Sequence, residues 1–297
     1  MLRKIFRTLT LSIVLCLSIF SSPGNAAAAE YRQCQGILGS NESCGTYVVT
    51  PDDSLIELAR QFGLGYNEIV AANPGIDPVL PNPGTKITLP STWIVPDVPQ
   101  RKGIVINIPE MRLYFFDPRN PDLVLTFPVG IGDEGSETPT GTFNIIGKLV
   151  NPPWHVPDSI RRETPGMPKV VPPGPDNPLG THALRLSAGS VLIHGTNRPF
   201  AIGRNVSHGC IRLYPEDIQK LFRDTSVGDR VTIVRQPVKA TVVAGRVLVE
   251  LHGNPKENLL NKAVAELSSK RLLEQVNLVK LMVAALKKTG IPTDVSW

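Results

Sequence analysis

The sequence predicts a mainly β protein with additional α+β and helical parts, and three segments indicate this. Residues 102–235 contain short apolar or alternating runs bounded by Gly, Pro, Asn and Asp, the pattern of a sandwich or barrel-like β domain. Residues 46–90 follow the order strand, helix, short helix, strand. Residues 238–297 begin with a strand pair and continue with apolar residues at helical spacing. A β-rich central domain is therefore expected between a small βααβ domain and a helical tail.

The N-terminus predicts export from the cytoplasm. Residues 1–29 combine a basic start, an apolar run over 9–20 and a closing run of alanines, which is the layout of a cleaved signal peptide. The apolar run is shorter than the ~20 residues that span a bilayer, so no stable membrane span is expected. Loss of Arg3, Lys4 and Arg7 with the signal reduces the formal net charge from +5 to +2. So small a charge gives no electrostatic footprint for nucleic acid.

The small domain over residues 46–90 contains the motifs "YVV", "ANPGID" and "PGTKITLP". These motifs resemble the LysM module, and the resemblance implies binding to the glycan strands of peptidoglycan. Asp52 stands where that family usually has glycine, in the turn expected to face the sugar. A spacer that binds nothing is the alternative interpretation. Residues 91–101 are expected to form a proline-rich linker to the next domain.

The β-rich region is interrupted over residues 151–181 by a segment with many prolines. Such a segment is expected not to pair into a sheet, and loops of this length usually act as lids or binding loops. The motif "GIGDEG" at 130–135 matches a dinucleotide-binding fingerprint, but a proline and a further strand follow it where a helix should. Its glycines are therefore interpreted as turn residues.

The tail over residues 238–297 is expected to contain a strand pair and then a helical extension. Pro255 is placed where a helix can begin, and Gly290 and Pro292 are placed where one ends. The apolar residues between them can pack against the protein's own domain or bind a partner. Both interpretations remain open from the sequence.

Three cysteines remain after removal of the signal. Cys34 and Cys44 lie ten positions apart in a polar, Gly-rich stretch, and export brings them into an oxidising compartment, so they are the disulfide candidate. Cys210 is then left without a partner. A free thiol in that compartment is exposed to oxidation, and its place beside a histidine indicates a functional role.

His194 and Cys210 form the candidate catalytic pair. His194 ends the apolar strand "SVLIHG", and Cys210 follows 16 positions later, enough for the chain to turn back. A histidine within reach can take the proton of the thiol, and the N–H groups of the Gly209-Cys210 turn can stabilise an oxyanion. Zinc bound by His194, His208 and Cys210 is disfavoured, because no further cysteine or carboxylate has a usual ligand spacing. A purely structural role is disfavoured, because such a polar turn is a costly way to fill a core.

The segment "IHGTNRPFAIGRNVSHGCIRL" resembles the catalytic signature of the L,D-transpeptidase family, and "TPTGTF" at 138–143 matches a second motif of that family. The resemblance implies a β-rich catalytic domain that crosslinks bacterial peptidoglycan with no metal and no organic cofactor. It implies that Cys210 is the nucleophile and that His194 transfers the proton, its ring oriented by a backbone carbonyl near Gly195. The residues implied to shape the oxyanion site or brace the turn are Ser207, His208, Gly209 and Arg212. Arg212 could instead meet a carboxylate of the substrate.

The LysM-like module and the "PPGPDNPLG" loop make the chain similar to exported enzymes of Gram-negative bacteria. This similarity implies a periplasmic protein whose partners are stem peptides and glycan strands, with an outer-membrane lipoprotein as one candidate acceptor. The implied thioester on Cys210 would pass to an amine of a second stem or of the lipoprotein. Transfer to water, making an L,D-carboxypeptidase, and a non-catalytic wall-binding protein are the alternatives. If the module only tethers the enzyme, deleting residues 30–95 is expected to spare turnover of a soluble stem peptide.

Overall fold

The structure is a computed structural model that describes residues 37–39, 45–121, 123–253 and 257–297 in full, and residues 29–34 by their backbone. The disulfide candidate lies outside the described side chains, and the predicted signal, apart from its last residue, lies outside the described residues. Strands outnumber helices in the described part of the chain, which confirms the mainly β fold class. No helix among these residues has the length and apolar content needed to cross a membrane.

Short strands alternate with a smaller number of helices along the described chain. The strands are β1 (Ala29–Cys34), β2 (Ile37–Leu38), β3 (Gly45–Val48), β4 (Lys86–Leu89), β5 (Trp93–Ile94), β6 (Gly103–Asn107), β7 (Arg112–Phe116), β8 (Leu123–Pro128), β9 (Ile131–Gly132), β10 (Gly141–Val150), β11 (Trp154–His155), β12 (Val170–Val171), β13 (His182–Leu186), β14 (Leu192–His194), β15 (Asn205–Ser207), β16 (Ile211–Arg212), β17 (Arg230–Val234), β18 (Val238–Val243), β19 (Arg246–Leu251) and β20 (Thr293–Asp294). The α-helices are α1 (Leu55–Gln61), α2 (Tyr66–Ala72), α3 (Asp158–Glu163), α4 (Pro215–Asp224), α5 (Leu259–Ser269) and α6 (Leu278–Lys287). Pro199–Ala201 and Leu273–Gln275 form 3-10 turns.

One large sheet organises the molecule. Its spatial order is β16-β14-β13-β10-β17-β6-β7-β8-β1-β2-β5, and the pairs β14/β16 and β17/β6 are parallel. Alternate residues of the central strands enter different cores, Ile104 and Phe115 on one face and Val105 and Tyr114 on the other. Because both faces are covered, β6 and β7 are apolar along almost their whole length.

The βααβ unit of β3, α1, α2 and β4 packs directly on the large sheet. Ser54 caps α1 by accepting the N–H of Glu57, and Leu55 and Leu58 face a core shared with Tyr114 of the sheet. Residues 91–101 were expected to be a linker, but Trp93–Ile94 forms β5 and Trp93 is 2% exposed. The segment is packed because the indole of Trp93 enters the core between the two units. The small domain is therefore a fixed part of the fold.

A buried ion pair joins the small domain to the sheet. Arg112 of β7 donates to both carboxylate oxygens of Glu68 at 2.8 and 2.7 Å, and both side chains are nearly fully buried. The indole N–H of Trp93 donates to the same carboxylate at 2.9 Å, and the Arg112 guanidinium lies 4.0 Å from the centroid of the Trp93 ring system. Each partner is satisfied only when the two units are docked, since a buried unpaired charge is strongly destabilising.

The proline-rich segment 151–181 was expected not to pair into a sheet, and this expectation is wrong. Trp154–His155 and Val170–Val171 form the antiparallel pair β11/β12, and α3 lies between them. Strands of two residues fit between the prolines, which lack the N–H needed for a longer ladder. The buried Asn177 side chain ties the end of the segment to the Pro152 carbonyl at 2.9 Å.

The C-terminal extension forms a hairpin of β18 and β19 covered by α5 and α6, with a core of its own. It contains two helices where one was expected. Arg271 adopts a left-handed conformation with φ 57°, and Asn277 caps a new helix by accepting the N–H groups of Val279 and Lys280. Of the two interpretations of the helical residues, packing on the protein's own domain applies to α5. Most of one face of α6 stays exposed.

A buried polar cluster fixes this extension to the rest of the fold. The Lys239 ammonium lies 2.8 Å from carboxylate oxygens of both Glu110 and Glu250, and His252 also contacts Glu250 at 2.5 Å. Burial alone would raise the pKa of Glu250, but the charge of Lys239 and the contact with His252 hold it below its usual value. Lys239 therefore supplies the positive charge that these buried carboxylates require.

Candidate active site

His194 and Cys210 lie at neighbouring positions on one edge of the large sheet. His194 ends β14, which pairs in parallel with β16, and its register partner is Arg212. Ile193 and Ile211, the preceding register pair, are fully buried in the core. Because side chains alternate along a strand, His194 and Arg212 lie on the opposite face. Cys210 directly precedes β16, so the strand pairing brings residue 210 close to the end of β14 that carries His194.

The imidazole of His194 is buried and oriented by the backbone. Its Nδ1 lies 2.6 Å from the Gly195 carbonyl oxygen, so in the neutral ring Nδ1–H donates to this carbonyl and Nε2 carries the lone pair. Burial lowers the pKa of His194 to about 4, the charge of Arg212 acts in the same direction, and the carbonyls of Gly195 and Leu179 oppose the shift. His194 is therefore neutral near pH 7 and able to accept a proton.

Cys210 carries a free, partly buried thiol. Its Sγ lies 3.9 Å from the Ser190 carbonyl oxygen. Burial raises the pKa of the Cys210 thiol, although the backbone N–H of Leu192 and the charge of Arg212 act to lower it. The two residues therefore rest as a thiol and a neutral imidazole, so the thiolate must form by proton transfer when a substrate is attacked.

The turn before Cys210 is fixed by side-chain and backbone contacts. The buried Ser207 hydroxyl donates to the Cys210 carbonyl oxygen at 2.6 Å, and the Asp133 N–H donates to the Ser207 carbonyl at 2.9 Å. Gly209 has φ +94°, a conformation that favours glycine. In the part of the chain that the structure describes, the N–H groups of Gly209 and Cys210 donate to no protein acceptor. These two N–H groups are free to receive an oxyanion.

His208 is placed differently from His194. Its exposed ring has Nε2 3.0 Å from Glu163 Oε2, and Glu163 ends α3 within segment 151–181. The same segment brings Leu179 beside His194. The segment therefore touches the site at two points. Its proline content marked it as a candidate lid, but no motif singled out Glu163 or Leu179.

Arg212 and Arg198 form a positive site next to the thiol. Arg212 is partly buried, and its Nε has no hydrogen-bond partner. Burial lowers the pKa of Arg212, nearby Cys210 opposes this, and the charge of Arg198 lowers it further. Among the described residues no carboxylate pairs with either arginine. Sequence reasoning missed Arg198, for which basic character in the loop before Cys210 was the only signal.

The loop that joins His194 to Cys210 touches the small N-terminal domain. The Tyr66 N–H donates to the Ile202 carbonyl at 3.2 Å, and the Arg204 guanidinium lies 3.7 Å from the centroid of the Tyr66 ring. Gly203 has φ +79°, and a Cβ there would lie 2.3 Å from the backbone nitrogen of Tyr66. The close approach requires glycine, so the small domain holds this loop in place.

The residues of the zinc alternative are not gathered into one ligand set. His208 contacts Glu163, while the His194 ring contacts the Gly195 carbonyl. Across the described ranges, the group of potential ligand atoms within 4.8 Å of one another is the buried C-terminal cluster of Glu110, Glu250 and His252. His194, His208 and Cys210 are not part of this group.

Comparison with known proteins finds two family models that match different parts of the chain. A family model for the L,D-transpeptidase catalytic domain matches residues 101–233, and a LysM domain model matches residues 47–90. The protein named "Probable L,D-transpeptidase ErfK/SrfK" from Escherichia coli (strain K12) is 37% identical over 272 residues, which cover 84% of this chain and 85% of that protein. The chain belongs to the L,D-transpeptidase family.

Other relatives of this L,D-transpeptidase cover less of the chain. "Probable L,D-transpeptidase YcfS" from the same strain is 42% identical over 216 residues, which cover 69% of this chain and 67% of that protein. Among solved structures, L,D-transpeptidase 3 from Mycobacterium tuberculosis is 14% identical with a TM-score of 0.37, covering 67% of this chain and 91% of that one. Family membership therefore rests on the sequence relatives.

The two histidines of this L,D-transpeptidase are expected to differ in effect. His194→Ala should lower kcat/KM by about 10²–10⁴-fold, the usual contribution of a general base. His208→Ala should lower it less, because its ring faces Glu163. With a His194 pKa of about 4, the wild-type acid limb should lie near pH 4, because the base is neutral above that value and protonated below it. The measurement is kcat/KM against pH. A larger loss with His208→Ala would assign the base to His208.

Proposed function

We propose that the protein is a cysteine-dependent L,D-transpeptidase acting on tetrapeptide stems of peptidoglycan. The observation that carries this proposal is the free thiol of Cys210, which directly precedes β16, the strand that pairs with β14 at the buried, neutral His194. Family membership supports the reaction class. The residue assignments rest on the geometry of the site.

The first half-reaction breaks the bond between the third stem residue, an L-centre, and the terminal D-alanine. His194 Nε2 takes the proton of Cys210 as Sγ attacks the carbonyl carbon. The negative charge formed on the oxygen is stabilised by the N–H groups of Gly209 and Cys210. The C–N bond then breaks, the imidazolium gives its proton to the leaving amine, and D-alanine departs from a Cys210 thioester.

Arg212 and Arg198 fit the carboxylate of the donor stem. A terminal D-alanine carries a carboxylate close to the bond that breaks, and two guanidinium groups without an internal anion can hold it. The buried Nε of Arg212 is a donor that such a carboxylate would satisfy. Segment 151–181, joined to the turn by the Glu163–His208 contact, would cover the bound stem.

The second half-reaction transfers the acyl group to an amine. His194 accepts a proton from the attacking amine, the thioester C–S bond breaks, and the proton returns to Sγ. A second stem as acceptor gives a 3→3 crosslink, and an outer-membrane lipoprotein gives a wall-linked lipoprotein. Water as acceptor would make the protein an L,D-carboxypeptidase, and a non-catalytic wall-binding role would leave the stems unchanged.

We assign residues 46–90 to the LysM-like module, residues 102–235 to the catalytic domain and residues 238–297 to an extension of it. The module would hold a glycan strand, which raises the local concentration of stems. Because the module is docked on the sheet, it would hold the strand at a fixed position relative to Cys210. Export directed by residues 1–29 would place the protein in the periplasm, where these substrates lie.

Mass spectrometry of the products tests this proposal. The protein is incubated with disaccharide-tetrapeptides, alone and with a lysine-ended peptide that mimics a lipoprotein C-terminus. We expect joined products that have lost one D-alanine. Tripeptides alone would favour the carboxypeptidase, and unchanged stems with binding to wall sacculi would favour the wall-binding protein.

A further inference from the structure

Helix α6 leaves a broad apolar face uncovered. Five of its ten residues are apolar and strongly exposed, with exposed fractions of 53% for Leu278, 70% for Val279, 49% for Met282, 43% for Val283 and 78% for Leu286. A surface helix of a soluble protein usually presents polar residues on its outer side. The outer side of α6 is therefore unusually apolar for a surface helix, which indicates that a partner covers it.

Helical geometry gathers these five side chains into one stripe. At about 100° per residue they fall within an arc of about 140° around the helix axis. Leu281 and Ala284 lie outside this arc and are buried against the hairpin of the extension. The helix is thus apolar on two separate faces, of which the fold covers only one.

The charge around the stripe is positive. Lys280 and Lys287 are exposed and lie on one side of the stripe, between it and the buried Ala284. Residues 275–293 contain three lysines and no acidic residue. The Lys280 ammonium donates to the Ser296 carbonyl at 2.6 Å, and, against the effect of burial, its charge acts with that of Arg246 to lower the pKa of Asp294. For Lys287 the described residues supply no partner. A partner for this face must therefore be apolar at its centre and negative at its margin.

We propose that α6 lies flat on an anionic phospholipid surface. Its apolar stripe enters the boundary between headgroups and acyl chains, and Lys287 faces the phosphates. A helix of ten residues is about 15 Å long, so it lies along the surface and does not cross it. The exposed Trp297, whose indole N–H donates to the Glu274 carbonyl at 3.2 Å near the start of α6, is a residue type enriched at such boundaries.

A second copy of the chain fits this face less well. In a two-fold dimer the same face meets itself, so the apolar stripe of one copy would offer no negative charge to Lys287 of the other. A negative lipid surface pairs favourably with this lysine. The proposal goes beyond the transpeptidase reaction, since it concerns where the enzyme is held.

Sedimentation with lipid vesicles tests the proposal. Protein recovered from the exported fraction is used, with a common N-terminal residue verified by mass spectrometry for every variant. Vesicles contain phosphatidylglycerol and phosphatidylethanolamine, or phosphatidylcholine alone. The wild type should bind the anionic vesicles, less so at high salt. Val279→Gln with Leu286→Gln should weaken binding at least about tenfold. Lys287→Gln should weaken it by about fivefold.

A matched control removes equal apolar exposure elsewhere. Leu80 and Val227 are 79% and 62% exposed, so Leu80→Gln with Val227→Gln should leave vesicle binding unchanged. Unchanged melting temperatures establish that both double variants are folded. The proposal is overturned if both pairs reduce binding equally, or if phosphatidylcholine vesicles bind as well as anionic ones. It is also overturned if the wild type does not bind vesicles and instead forms a dimer, and if the double substitution Val279→Gln with Leu286→Gln dissociates that dimer.

Discussion

Replacing Cys210 by alanine is expected to abolish release of D-alanine from tetrapeptide stems, lowering the rate at least about 10³-fold, because the acyl acceptor of the first half-reaction is lost. The fold should be little affected, since the polar contacts of the thiol are weak ones with the Ser190 carbonyl at 3.9 Å and the Leu192 N–H. The measurement is the initial rate of D-alanine release at equal protein concentration, with the melting temperature as a control for folding.

Cys210→Ser provides the matched control for this variant. Serine keeps the size and polarity of the side chain, but its hydroxyl is far less acidic than a thiol, and a neutral His194 alone activates it poorly. Serine should therefore be nearly as inactive as alanine. Substantial turnover by either variant, or loss of wild-type activity on treatment with a chelator and recovery with zinc, would contradict the cysteine mechanism.

Deleting residues 30–95 is expected to destabilise the catalytic domain severely. The deletion would expose apolar side chains of β6 and β7 that face the small domain, including Val105, Tyr114 and Phe116. It would also remove Glu68, the ion-pair partner of the Arg112 guanidinium. This replaces the expectation of an independent tether. The measurement is the urea midpoint of unfolding, and a midpoint equal to that of the full chain would contradict the shared core.

Two point substitutions separate the buried pair from a half-exposed contact of the same interface. Glu68→Gln removes the charge that Arg112 requires and should lower the free energy of unfolding by about 3–5 kcal/mol. Glu216→Gln removes the ion pair with Arg60, whose side chain is 43% exposed, and should lower it by at most about 1 kcal/mol. Equal losses in the two variants would show that burial of the Arg112 pair does not matter.

The strands, the helices and the candidate catalytic pair could largely be predicted from the sequence, because all of them depend on local patterns. Alternating apolar runs predict strands, and apolar residues at helical spacing predict the helices of the small domain. The "SHGC" motif identifies the turn at Cys210. His194 was found because it ends a strand and lies one loop away from that turn.

The contacts between distant segments could not be predicted from the sequence, because no local pattern specifies them. Trp93 read as part of a proline-rich linker, but its burial depends on Glu68 and Arg112 from two other segments. Glu163 meets His208 across 45 positions. The break between α5 and α6 follows from the left-handed conformation of Arg271, which cannot be predicted from an arginine in the sequence.

The central claim is that the acyl group passes through Cys210, and intact-protein mass spectrometry of a rapidly quenched reaction tests it most directly. With tetrapeptide stems and no added acceptor, the protein should gain the mass of the stem without its terminal D-alanine, and peptide mapping should locate the adduct on Cys210. Product formation with no adduct at any time point, or an adduct on another residue, would contradict the account.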